Sequence, residues 1–117
     1  MSAIFDELAR LDPASMSAIT AIAAERLRQI QDERCTIEHD DSHDMGELAT
    51  AGALYALNAG PTGFGRVICP WPDYDWKLGP PPKDLRRAGA LVVAEMARRN
   101  RAALDRLADG HDIGETP

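Results

Sequence analysis

The chain has 117 residues, 44% of them hydrophobic and 27% charged, with a formal net charge of −6. That length suits one domain with one modest core. The acidic balance excludes the broad basic face that bulk DNA binding needs, and no apolar run approaches the ~20 residues that span a bilayer.

The opening stretch MSAIFDELARLD carries acids early and no long apolar segment, so no signal peptide is expected and the chain reads as cytoplasmic. Cys35 and Cys69 form no CxxC; a disulfide between them is open, but a reduced compartment is the simpler reading. Residues 2–10 predict a short helix with Ser2 as N-cap, stopped by Pro13. Ser15 or Ser17 then starts a longer helix to about Arg34. Its apolar stripe is Ile19, Ile22, Ala23, Leu27 and Ile30, and Glu25, Arg26, Arg28, Gln29 and Asp32 form its polar side. Residues 35–43 read as a connection. Asp44 has the position of an N-cap, with Glu47 at capping-box spacing. The helix Met45–Ala59 follows, rich in Ala and Gly, and Gly60-Pro61 ends it.

Residues 60–82, GPTGFGRVICPWPDYDWKLGPPP, form a long loop rich in Pro, Gly and aromatic residues, with room for a short extended pairing at 67–69. Three prolines at 80–82 lead into a last helix from about Lys83 to Ala108. Its centre, AGALVVAEMA, is apolar nearly all round and predicts burial, in part by another subunit. The expected architecture is mainly α: a compact, oligomeric domain over residues 1–108 with three to four helices and the long Pro/aromatic loop. Residues 109–117 are expected to be a disordered tail.

Charge is unevenly spread. Residues 83–106 hold seven basic and three acidic side chains, a net +4, while the rest of the chain carries −10. Within that basic element, Lys83 and Arg87 share a face near the helix start. Cations there oppose the helix dipole, so on dipole grounds alone Arg87→Glu should be tolerated or mildly stabilising. Free backbone N–H groups beside two cations make a phosphate seat; the plainer alternative is a solvated face compensated by Asp84. The run Glu38, His39, Asp40, Asp41, His43, Asp44, Glu47 has donors for a divalent metal, or is a solvated loop with a cap. Arg28 and Gln29 lie near the stripe of the long helix. Phe64, Trp71, Tyr74, Trp76 and Tyr55 offer rings on which a base can stack, or that close a small core. Glu95, among apolar neighbours, reads first as half of a buried pair with an arginine.

The order AERLRQIQDE, then EHDDSHDMGELATAGALYA, then WP, then KDLRRAGALVVAEMARR resembles small phage and prophage proteins of the kind of the first type of Thoeris anti-defence protein. The resemblance covers residues 24–99, and the HDD-x-H-x-x-GEL run followed by AGAL-x-x-AE is its most specific mark. It implies a non-catalytic sponge for cyclic ADP-ribose-type immune signals, with some relatives holding cyclic oligonucleotides at other sites of a hexamer. It implies that Lys83 and Arg87 grip phosphate, that Tyr55 contacts a base and that Arg28 belongs to a second anion site. Lysine at position 83 departs from the expected arginine and loses the planar fork. The chain is also similar to MazG-like all-α nucleoside triphosphate pyrophosphohydrolases, which hold Mg²⁺ or Mn²⁺ on paired carboxylates. Their ExxE and ExxD pairs would here be Asp44-x-x-Glu47 and Glu95-x-x-Arg98, and the arginine breaks the second pair.

The expectation is therefore an anion-binding homo-oligomer, dimer or hexamer, with Lys83, Arg87, Tyr55, Arg28, Gln29 and Trp71 on the ligand and no catalytic residue or cofactor. The alternative is a hydrolase with Asp44, Glu47 and Glu95 on Mg²⁺ or Mn²⁺.

Overall fold

A computed structural model describes residues 2–60 and 79–110. Among these there are five helices and no strand: α1 (Ser2–Leu8), α2 (Pro13–Asp32), α3 (Ile37–Asp41), α4 (Glu47–Asn58) and α5 (Pro81–Ala108). The helical class expected from the sequence is present, with one or two helices more than anticipated. Most of the loop at 60–82, with Trp71 and the pairing at 67–69, lies outside the described residues, as does the tail from 111 onward.

Local chemistry explains the boundaries. Pro13 does more than stop α1: it is the first residue of α2, where its missing N–H costs nothing. Asp12 is the N-cap, accepting from the Ser15 N–H at 3.1 Å and the Ser15 hydroxyl at 2.6 Å, so α2 begins before the serines expected to start it. At the other end Arg34 adopts φ 56°, and the Cys35 N–H turns back to the Gln29 carbonyl at 3.1 Å.

The connection at 35–43 contains α3, capped by the Thr36 hydroxyl, which accepts from the His39 N–H at 3.1 Å. Asp44 does not cap α4. The N-cap is Gly46 at φ 84°, a conformation that favours glycine, and the Glu47 carboxylate accepts from the Met45 N–H at 2.6 Å. Before α5, buried Asp84 accepts from the Gly79 N–H at 3.0 Å and holds the chain against the first turn.

The core is built on α4 and α5, where Leu48, Ala51, Leu54, Tyr55, Ala88, Ala90 and Ala94 are buried. A side chain at Gly52 would meet the Ala88 carbonyl at 3.1 Å, so glycine there lets the two helices touch. Gly89 does the same for α2: a Cβ would fall 2.6 Å from Ile22 Cδ1.

The long helix does not bury the stripe read from its periodicity. Ile19, Leu27 and Ile30 are exposed and only Ile22 is half-buried, while its fully buried side chains are Glu25 and Gln29. The polar side faces inward because charged partners wait there, Arg87 on α5 and Asp40 on α3. Within the apolar centre of α5 Ala88, Ala90 and Ala94 are buried, but Val92, Val93 and Met96 remain exposed. No described helix is long and apolar enough to cross a membrane.

Candidate functional site: a charged cavity between α2, α3, α4 and α5

A cavity of about 440 Å³ opens between α2 and the α4–α5 pair. Its volume lies in the usual range for small-molecule sites. α2 contributes Arg26 and Gln29, with Glu33 and Cys35 following it; α3 and the turn after it contribute His39, Asp40 and His43. Glu47, Leu48, Ala51 and Tyr55 come from α4, and Arg87 and Leu91 from α5.

Arg26, Gln29 and Glu33 are spaced i, i+3, i+7, so one polar strip of α2 lines the cavity. The strip persists inside the protein because each charge has a partner. Arg26 Nη2 donates to Asp40 Oδ2 at 2.5 Å, and Asp40 is almost fully buried. Arg87 Nη1 donates to Glu33 Oε2 at 3.3 Å and lies 3.8 Å from Glu25 Oε2. Arg28 donates to both oxygens of Glu25, at 2.9 and 2.6 Å, and also to Glu33. Arg28 thereby holds the Glu25 carboxyl below the usual carboxylate range, with Arg87 and Lys83 adding smaller attractions. Burial raises the Cys35 thiol, and Asp40 and Glu33 add to the rise.

Pairing is incomplete. Arg26 Nη1, Arg87 Nε and Gln29 Oε1 are buried and have no hydrogen-bond partner among the described residues. A buried polar group left without a partner costs about 1–3 kcal/mol, and more when it is charged. Two arginines that line one cavity thus each keep a buried guanidinium N–H donor without a partner among the described residues. On the other wall His39 and His43 meet edge to face, Nε2 to Nε2 at 3.4 Å, and His43 Nδ1 lies 3.5 Å from Glu47 Oε2. The described lining holds two arginines against Glu33, Asp40 and Glu47, a balance of −1 with both imidazoles neutral.

The structure brings together three of the residues expected on the ligand, Tyr55, Gln29 and Arg87. It separates the other two described ones. Lys83 is exposed at the start of α5 and does not line the cavity. Arg28 faces a shallower cleft with Glu25 and Arg86. Trp71 lies outside the described residues.

The dipole argument for Arg87→Glu is overturned. Arg87 is only 7% exposed and faces Glu33 and Glu25, so a carboxylate there would join two others in a buried place. Of the alternative metal ligands, Glu47 lines the cavity, Asp44 is exposed, and Glu95 is committed elsewhere. Arg98 donates to Glu95 at 2.8 and 2.9 Å and Arg99 at 2.7 Å, the arginine pairing anticipated for it. Among the described residues no three His, Cys, Asp or Glu side chains converge as a metal-binding group.

The roles of Arg26 and Glu33 were not foreseen from the sequence. Their signal was the spacing with Gln29, visible beside the apolar stripe. No protein-family model, curated protein or solved structure matches this chain.

Proposed function

We propose that this chain binds a nucleotide of low negative charge, a cyclic phosphodiester or a cyclic ADP-ribose-type signal, and sequesters it without degrading it. On this reading it is a phage anti-defence protein acting in the cytoplasm of an infected bacterium, as the resemblance at residues 24–99 implies. The observation that carries the binding reading is the pair of buried N–H donors without a partner among the described residues, Arg87 Nε and Arg26 Nη1, on two arginines that line the cavity with Tyr55. Guanidinium groups suit phosphate oxygens, and an aromatic wall suits a base.

The charge balance narrows the ligand. With a lining of −1, a triphosphate brings strong repulsion unless a cation accompanies it, whereas a diester brings one negative charge per phosphate. The hydrolase alternative has lost one carboxylate to Arg98 and Arg99, which hold Glu95 in its charged form. Exposed Ile19, Leu27 and Ile30 on α2 and Val92, Val93 and Met96 on α5 favour a homo-oligomer, dimer or hexamer, that covers them.

Calorimetry with cyclic ADP-ribose, cyclic di-AMP and dGTP plus Mn²⁺ tests this. The expected result is saturable binding of at least one cyclic nucleotide. Arg87→Lys keeps the charge but removes the fork, and affinity should fall about 10-fold, a loss of ~1.4 kcal/mol. Release of pyrophosphate from dGTP would replace the sponge with the hydrolase. Binding that ignores Arg87→Lys would place the site elsewhere.

A further inference from the structure

Resting on the binding reading above, we infer that Glu33 is a built-in competitor for the ligand anion, which a bound nucleotide displaces from Arg87 onto Arg28. Glu33 sits at the C-terminal end of α2, where the helix dipole disfavours a carboxylate. An acid placed there against a local rule needs compensation, and two arginines supply it. One oxygen, Oε2, accepts from both Arg28 Nη2 and Arg87 Nη1.

The two grips are unequal. The Arg28 contact is the shorter, while Arg87 stands off at 3.3 Å and keeps its buried Nε without a partner. Arg87 is therefore held in place by an acceptor that uses only part of its fork. Arg28 is in turn braced on Glu25 through two bonds, so it stays put when Glu33 turns toward it.

The buried Nε of Arg87 has no partner among the described residues, so an anion that reaches this guanidinium finds a donor still to be used. If it takes both Nε and Nη1, Glu33 loses its weaker partner and keeps its stronger one. No charge is stranded: Glu33 remains on Arg28, and the ligand neutralises Arg87. Because Glu33 lies past the last turn of α2, its side chain can swing without moving the core helices. The device sets a threshold, since a weak acceptor cannot outcompete a carboxylate already in place. A phosphodiester can, because two of its oxygens match the fork.

The test is a double-mutant cycle on Glu33 and Arg28, read by calorimetry with cyclic ADP-ribose and cyclic di-AMP. Glu33→Gln removes the competing charge and should tighten binding about 3–10-fold. Arg28→Gln removes the place to which Glu33 retreats and should weaken binding by about 3-fold. That loss should vanish in the Glu33→Gln background, which a direct Arg28–ligand contact would not allow. If Glu33 serves only to position Arg87, Glu33→Gln weakens binding, and the inference fails. An unchanged affinity in Glu33→Gln also overturns it.

Should Glu33→Gln not fold, Arg28→Gln decides through its own sign: no loss contradicts the displacement. Wild-type binding separates the two claims. If the wild type binds a cyclic nucleotide and the cycle shows no coupling, only the competitor role falls. If neither protein binds any probe, the site itself is wrong.

Discussion

The two flanks of α5 are held by different physics. On one, α4 lies against it through Ala51, Gly52 and Ala88, small residues at van der Waals distance with no polar atom to satisfy. On the other, α2 and α3 are tied through Arg26–Asp40 and the Glu25, Arg28, Glu33, Arg87 cluster. The first flank packs on small apolar side chains, and its one buried polar atom without a partner among the described residues is Asn58 Oδ1 at the end of α4. The second is charged, and three buried polar atoms there, of Arg26, Gln29 and Arg87, lack partners among the described residues. An α4–α5 contact made through Ala51, Gly52 and Ala88 gives the chain a fixed frame. The polar flank keeps unspent hydrogen-bonding capacity, and that is where a ligand can gain binding energy.

Breaking the polar flank should do the most damage. Asp40→Ala strands Arg26 inside the protein, and removing one partner of a buried pair costs about 3–5 kcal/mol. Urea unfolding should show this as a lowered midpoint, and Asp40→Asn should recover part of it. A loss no greater than that of an exposed ion pair would mean the flank is solvated, and the contrast with α4 would fail.

Breaking the packed flank comes next. Gly52→Val drives a side chain into the Ala88 carbonyl and should cost about 1–3 kcal/mol by overpacking, without altering which nucleotide binds. A neutral result would show that α4 and α5 are farther apart than described.

A third experiment sharpens the electrostatic side. Arg98, and behind it Arg99, hold the Glu95 carboxyl down at about 2, against a usual value near 4.5. A depressed folded-state pKa gives stability that is full above about 4.5 and is lost as pH falls toward 2. The urea midpoint of the wild type should therefore drop between pH 5 and pH 2.5, with a shallower slope in Glu95→Gln. Equal slopes would mean that the arginines do not hold Glu95 in solution.

The smallest effect concerns the end of α2. Arg34 is a non-glycine residue at φ 56° on the surface, so Arg34→Gly should relieve strain and raise stability by about 0.5–1 kcal/mol. No change in melting temperature would remove the left-handed turn from the account.

The sequence made the frame legible and left the site half-read. Breakers and periodicity located α2, α4 and α5, because Pro13, Gly60 and the prolines at 80–82 punctuate them. α3 escaped, since five residues are too few to show a period, and only Thr36 marked it as a cap. The Glu95 pairing was readable because Arg98 and Arg99 lie three and four residues on, where helix geometry alone brings them together. Arg87–Glu33, 54 residues apart, has no local signature, so Arg87 reads from the sequence as one of a basic pair with Lys83 at the helix start and not as a buried partner of Glu33. For the same reason α2 was assigned its apolar stripe as the inner face. Periodicity finds an amphipathic helix but not which side meets the rest of the fold when the inner partners are charged.

The direct test of the central claim is a capture experiment. Cyclic ADP-ribose or cyclic di-AMP is mixed with excess protein, the free ligand is removed by filtration, and the retained protein is heat-denatured before mass spectrometry. The account predicts that the nucleotide disappears from the filtrate and returns chemically intact on denaturation, and that Arg87→Lys leaves most of it in the filtrate. Nucleotide that passes freely through with the wild type, or that comes back cleaved, would contradict it.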